Sequence, residues 1–317
     1  MKPLVTVICI SYNHAPYIME GMQSVFNQSY SNIEMIVADD ASTDDSQTIL
    51  KNTILDKPGI RAIFHDSNRG YTATFNEAFK HAKGKYVIDF ALDDVMSTDF
   101  ISKSISKLEQ VGEDYGVSFS NADYIDSDSK TIGNHNELLR AKDLIEEIPS
   151  GDLFELILKR YFICTPSMVI RKSVLDKLEG YDATLEYEDF DFWIRSSRFT
   201  GYTYIDEVLV NKRKLRHSMS SQQYNYRQNS QLESTLKVCK KALHLCKSKN
   251  EHDALSVRIN YELRHCLTSG AFELGYEFFT LLKSLKENPF RLFVYKTLLD
   301  FRLDYRFLNK KRKTNSF

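Results

Sequence analysis

The first hundred residues alternate short apolar runs with stretches of helical periodicity. Val5-Thr6-Val7-Ile8-Cys9-Ile10 reads as a buried strand, because β-branched residues suit a pleated surface and apolar residues fill both faces. A helix is expected over 16–27, with Pro16 near its start, where a missing N–H costs nothing. The alternation repeats: strand 33–38 and helix 44–55, strand 60–64 and helix 72–82, then strand 86–91 after the break at Gly84. Such alternation predicts a mostly parallel sheet flanked by helices. In such sheets the ligand crevice lies beyond the carboxyl ends of the strands. From 116 to 215 the pattern loosens into mixed strands and short helices. After Ser218 it is helical, broken only by Gly270, Gly275 and Pro289. A boundary is expected near residue 220, with an α/β domain at 1–220 and a helical extension with a basic tail at 221–317.

Polar clusters stand at the expected carboxyl ends: Ser11-Tyr12-Asn13 after the first strand, Asp39-Asp40 after the second, Asp93-Asp94 after the fourth. Adjacent carboxylates at a strand end suit a hard divalent cation such as Mg²⁺ or Mn²⁺. Held there, a cation could bridge the phosphates of a nucleotide diphosphate. Helix capping is the plainer reading of Asp93-Asp94 and of Asp39 to Asp45. Ser42 and Asp44 are expected to cap a helix, while Asp40 is placed to accept a hydrogen bond from a base N–H.

Charge and composition remove several classes. The formal net charge is -1 over 317 residues, giving no support to a nucleic-acid binder. Five scattered cysteines point to free thiols and a reducing compartment, and none of the compact Cys-x-x-Cys spacings of a zinc site is present. The apolar start, Leu4 to Ile10, is too short for a signal peptide, and no window approaches a membrane span. A cytoplasmic location is expected. Dinucleotide, P-loop, zincin and hydrolase-elbow motifs are missing.

In this order, Val-Ile-Cys-Ile-Ser-Tyr-Asn, Val-Ala-Asp-Asp-Ala-Ser-Thr-Asp, Asn-Arg-Gly, Ala-Leu-Asp-Asp and Glu-Asp-Phe-Asp-Phe-Trp-Ile-Arg resemble family 2 glycosyltransferases of the GT-A fold over roughly residues 1 to 220. The resemblance implies inverting transfer from a nucleotide-diphospho-sugar, UDP by default, to a hydroxyl of a glycan or lipid-linked acceptor in cell-surface polysaccharide assembly. Ser11 falls in the donor-binding stretch; Tyr12 and Asp40 would hold the base and Asp93 the ribose. Asp94 would ligate Mn²⁺ or Mg²⁺, with His217 of a His-x-x-Ser element reaching the metal or diphosphate. Asn68 and Asn76 would shape the donor pocket. Glu188-Asp189 matches the catalytic acidic pair, with Asp189 as general base and Glu188 orienting the acceptor. Inversion needs a base on the face opposite the leaving group, and a helix beginning at this pair would keep Asp189 ionised. Trp193 is expected in the core. The sequence departs from the family at Ala41, where glycine is usual and freer, and at Ala91, which stands where a further acid is frequent.

The rivals are a sugar-phosphate nucleotidyltransferase, which should carry a Gly-rich loop where Ser11-Tyr12-Asn13-His14 stands, and a silent nucleotide-sugar-binding or docking module, which would be indifferent to losing Asp189. Finally, Phe290, Val294, Leu298, Phe301, Tyr305 and Leu308 recur at helical spacing ahead of the basic Lys310-Lys311-Arg312-Lys313. That segment is expected either to rest on the anionic inner face of the membrane or to pack onto protein.

Overall fold

The computed structural model describes residues 2–215, 229–285 and 287–302. The early alternation forms β1 (Val5–Ser11), α1 (Ile18–Phe26), β2 (Ile33–Asp39), α2 (Ser46–Ile54), β3 (Arg61–Phe64), α3 (Tyr71–Phe79) and β4 (Tyr86–Ala91). The chain continues through β5 (Val95–Met96), α4 (Phe100–Val111), β6 (Tyr115–Ile125), β7 (Thr131–Asn134), α5 (His135–Ala141) and α6 (Phe154–Lys159). Next come β8 (Val169–Arg171), α7 (Lys172–Leu178), α8 (Asp189–Ser196) and β9 (Gly201–Arg213). Four longer helices close the described chain: α9 (Ser230–Leu245), α10 (Lys249–Ser269), α11 (Phe272–Ser284) and α12 (Pro289–Asp300).

The strands form one sheet in the order β3-β2-β1-β4-β8-β6-β9-β5, with β7 added to β6. β3, β2, β1 and β4 are parallel, as the alternation predicts. Their register brings three strand ends level: Ser11 pairs with Asp39, and Ile10 with Ala91. Beyond β4 the sheet is mixed, since β8 runs antiparallel to both β4 and β6, and β5 antiparallel to β9. An antiparallel neighbour needs no crossover helix, which fits the loss of strand–helix alternation after residue 116.

The chain divides into two compact units. The first holds residues up to 153 with 162–184 and 199–215; the second holds 154–161, 185–198 and the C-terminal helices. A linear boundary near residue 220 leaves α6 and α8 in the N-terminal part, but by packing they belong with the helices. Both present apolar side chains that are buried, Phe154, Ile157 and Leu158 on α6 and Phe190, Trp193 and Ile194 on α8.

In the first unit Val5, Val7 and Cys9 of β1 join Ile88 and Phe90 of β4 beneath Ile18 and Met22 of α1 and Phe100 and Ile105 of α4. Ile8 and Ile10 are buried on the other face, so β1 is covered on both sides. Gly21 lets α1 approach the end of β4: a Cβ there would lie 2.7 Å from the Leu92 carbonyl oxygen and 3.3 Å from that of Asp94. In the second unit Ser248 and Glu251 form a capping box on α10, and Gly270 ends it with φ 73°. All five cysteines are free thiols. Among the described residues no helix is long and apolar enough to cross a membrane.

Candidate active site

The loops after β1 and β2 are stitched together by the residues that read in sequence as turn formers. Asn13 Oδ1 accepts from Thr43 N at 2.8 Å, and Asn13 N donates to Ser42 Oγ at 2.9 Å. Ala15 N donates to Asp44 Oδ2 at 3.1 Å and His14 N to Ser46 Oγ at 3.0 Å. Ser42 therefore does not cap α2. Its hydroxyl donates to Asp39 Oδ2 at 2.6 Å, because a continuous strand end at β2 leaves that buried carboxylate needing donors. Asp44 does double duty, also accepting from Ser46 N at 3.0 Å.

Two residues here take left-handed backbone, Asn13 at φ 57° and Ala41 at φ 60°. Asparagine tolerates this conformation; alanine pays for its Cβ. The turn that usually carries glycine is thus kept, at a cost. Ala41→Gly is expected to stabilise the protein by about 1 kcal/mol, read as a higher denaturant midpoint at unchanged m-value. An unchanged or lower midpoint would contradict it.

Asp40 is buried and its carboxylate is heavily used. Oδ1 accepts from Arg69 N at 2.8 Å and lies 2.9 Å from His65 Nδ1, while Oδ2 accepts from Gly70 N at 2.9 Å. Burial pushes its carboxyl up, but the hydrogen bonds from His65, Arg69, Thr74 and Gly70 outweigh it and hold the group below its ordinary value. Four donors match the roughly four lone-pair positions of a carboxylate. The base contact expected of Asp40 must compete with them; what Asp40 builds directly is the 68–70 wall. Asn68 joins that wall, its Nδ2 donating to the Asp40 carbonyl at 3.3 Å. At the end of β1, Tyr12 is 43% exposed, and the buried Ser11 hydroxyl has no hydrogen-bond partner among the described residues.

Asn76 faces elsewhere. Its amide clamps the Tyr181 main chain, accepting from Tyr181 N at 2.8 Å and donating to Tyr181 O at 2.7 Å, so both ends are committed to holding the 180–181 turn.

The turn after β4 carries Asp93 and Asp94. Asp93 Oδ1 lies 3.8 Å from His14 Nε2. Asp94 is only 5% exposed, and its Oδ1 accepts from Arg213 N at 2.7 Å. Burial first, then the Asp93 charge, push the Asp94 carboxyl up to about 8 against the opposing pull of Lys212 and Arg213. Sequence reading missed Arg213, whose signal is only a basic residue at the end of a long strand. Its fully buried guanidinium ties the turn down: Nε donates to the Asp93 carbonyl at 2.8 Å, Nη1 to that of Asp126 at 2.7 Å and Nη2 to Glu20 at 2.6 Å. Lys214, one residue on, holds its ammonium 4.2 Å from the Tyr124 ring, and burial pulls it down to about 8.

Among the described residues no group of three or more His, Cys, Asp or Glu is arranged to hold a metal. The chemistry of the pair still fits Mg²⁺ or Mn²⁺, which commonly take one or two carboxylates and complete their shell with water and substrate phosphates. A buried carboxylate beside another is stabilised by a cation. His217 lies outside the described residues.

Glu188 and Asp189 belong to the second unit. Asp189 opens α8, whose first turn closes with Phe192 N donating to Glu188 O at 2.9 Å. Glu188 is buried; the Asp189 Oδ1 atom is buried without a hydrogen-bond partner among the described residues. The positive end of α8 favours a carboxylate there. Trp193 is in the core, as expected.

The profile of glycosyl transferase family 2 matches residues 6–179. An uncharacterized glycosyltransferase of Methanocaldococcus jannaschii is 28% identical over 215 residues, covering 67% of this chain and 71% of its own. S. aureus TarS (1–349) in complex with UDP-GlcNAc superposes with TM-score 0.68 at 16% identity, over 99% of this chain and 93% of that one. The mannosyltransferase PcManGT of Pyrobaculum calidifontis, in complex with GDP-Man and Mn²⁺, gives TM-score 0.59 at 16% identity, over 95% and 86%. At such identities the two solved structures establish the shared GT-A fold. The family profile spans more than half of the chain, from β1 past the Asp93-Asp94 turn, and on that ground the chain belongs to glycosyl transferase family 2.

Proposed function

We propose that this glycosyltransferase moves a sugar from UDP to a hydroxyl of a glycan or lipid-linked acceptor, with inversion and with Mn²⁺ or Mg²⁺ at Asp93-Asp94, in cell-surface polysaccharide assembly. The observation that carries the proposal is the buried Asp94 beside Asp93, on the same sheet edge as Ser11 and Asp39-Asp40. TarS with UDP-GlcNAc supports a UDP donor; PcManGT with GDP-Man and Mn²⁺ supports the cation and keeps GDP in the test.

Each residue takes a role that its surroundings support. Tyr12 stacks on the base, Asp40 and Asn68 form the wall beside it, and Asp93 accepts from the ribose. Asn76 acts on the donor pocket through the 180–181 turn. A cation held by Asp94 and Asp93, with His217 as a further ligand, would offset the charge gathering on the departing diphosphate. The acceptor oxygen bonds to the anomeric carbon as the bond from that carbon to the diphosphate oxygen breaks. UDP leaves with the bonding pair, and the acceptor proton passes to Asp189. Glu188 orients the acceptor hydroxyl.

Product stereochemistry tests the inversion. Proton NMR of the sugar released in the first turnovers from a UDP-α-sugar should show the β anomer first. An initial α anomer would reject direct displacement.

The membrane reading finds support in α12. Phe290, Phe293 and the following Phe301 are 75%, 68% and 71% exposed, whereas Tyr295 and Leu299 turn into the helical unit. Three exposed aromatics with Arg291 and the basic 310–313 sequence suit an anionic surface. In cosedimentation with phosphatidylglycerol vesicles, replacing all three phenylalanines by serine is expected to weaken binding by about tenfold or more. Equal binding would end the membrane reading and leave a protein partner.

A further inference from the structure

The segment bearing the candidate base is fastened from both sides by α9. Before the base, Glu186 N donates to Ser234 Oγ at 2.9 Å, and the Tyr187 hydroxyl lies 2.6 Å from Thr235 Oγ1. The Thr235 hydroxyl gives its own proton to Gln231 O at 2.9 Å, so Tyr187 is the donor in that pair. After the base, Asp191 is 1% exposed and bridges Lys241 and Arg195, its two oxygens each 2.6 Å from a nitrogen. α10 also contacts this segment. The Arg258 guanidinium sits 3.9 Å from the Tyr161 ring and 5.4 Å from that of Phe190, and pairs with the buried Glu262 at 3.1 Å. The Tyr161 hydroxyl in turn lies 3.3 Å from that of Tyr187.

Asp189 Oδ1 is buried with no hydrogen-bond partner among the described residues, so the placement of that oxygen follows from the main chain that carries it. That main chain is held at Glu186 N, three residues before Asp189, and through the side chains two residues before and two residues after it. We infer that α9 sets the position of Asp189, making Ser234, Thr235 and Lys241 positioning residues for sugar transfer and the helical extension a working part of the enzyme. The inference rests on Asp189 acting as the base.

The test uses the full chain. Ser234→Ala/Thr235→Val removes both hydroxyl anchors, and Lys241→Gln removes the ammonium in a separate protein, so one misfolded variant does not leave the question open. Three readouts are taken: hydrogen exchange of amides 185–192, UDP binding with Mn²⁺, and UDP release from UDP-N-acetylglucosamine, UDP-glucose and UDP-galactose with water as acceptor. The double variant is expected to exchange tenfold or more faster in 185–192 and to lose about 100-fold in kcat, the penalty of an ångström-scale misplacement. Donor KM and UDP affinity should stay within about twofold, and Thr235→Ser should retain the wild-type rate. Lys241→Gln should move in the same direction by a smaller factor. Unchanged exchange, or faster exchange with unchanged kcat, overturns the inference; a parallel loss of UDP affinity overturns it too, since the hydroxyls would then support the fold at large. Asp189→Asn is run alongside. If it retains turnover, the base assignment falls, while the exchange data still show whether α9 holds the segment.

Discussion

Asp189→Asn is expected to lower turnover by about 10³-fold, within the range a general base contributes. Asparagine keeps the size of the side chain and cannot take a proton. The variant should fold normally, since the buried Oδ1 position can keep an oxygen and has no hydrogen-bond partner among the described residues. UDP affinity should also be unchanged, because the residues proposed to hold the nucleotide, Ser11, Tyr12, Asp40, Asn68 and Asp93, lie on other elements. That combination, kcat lost and donor binding kept, is what an interaction made only during transfer produces. Steady-state UDP release with parallel calorimetry measures both. Loss within tenfold would move the base to another group, with Glu188 the nearest carboxylate in sequence.

Asp94→Asn is expected to have the second large effect, at least 100-fold weaker cation-dependent UDP binding, because a hard cation held as proposed would lose a carboxylate oxygen. The same change should leave the protein as stable or slightly more stable. Burial and the neighbouring Asp93 charge push the Asp94 carboxyl up to about 8, so a neutral amide suits the site better in the absence of cation. The amide oxygen can still accept from Arg213 N. Stability gained with binding lost is the mark of a residue kept for function. The raised value also fixes a pH dependence. A proton and a cation compete for Asp94, and the proton leaves only as pH rises through about 8. Mn²⁺-dependent affinity should therefore climb by up to about tenfold per pH unit below that value and level off above it. Thermal shift against Mn²⁺ concentration across this window checks the sign; affinity falling toward high pH would contradict it.

The legible parts of this protein were those with a local signal. β1 and β4 announce themselves as β-branched and apolar runs, and the rule that ligands gather at strand carboxyl ends points to Asp40 and Asp93-Asp94 before any coordinates. The obscure parts are long-range. Asn76 is an ordinary helix residue in sequence, and its partner Tyr181 stands 105 residues away. Arg213 reaches back 120 residues to the Asp93 carbonyl. The donors that saturate Asp40 come from the 65–74 stretch, whose approach depends on β3 pairing with β2. The grouping of α6 and α8 with the C-terminal helices follows from which apolar faces meet, and chain order carries no trace of it. Ala41 shows the opposite lesson: at a position where glycine is usual and freer, alanine still takes the left-handed conformation.

The proposed function requires the Asp93-Asp94 edge to bind a nucleotide diphosphate with a divalent cation. Calorimetric titration of the full chain with UDP, dTDP and GDP, each with and without Mn²⁺, tests it without knowledge of the acceptor. One diphosphate, UDP, is expected to bind in a Mn²⁺-dependent manner, at least 100-fold more weakly after Asp94→Asn. Folded protein that binds none of the three with Mn²⁺ present, or binds UDP equally well without it and after Asp94→Asn, would contradict the claim.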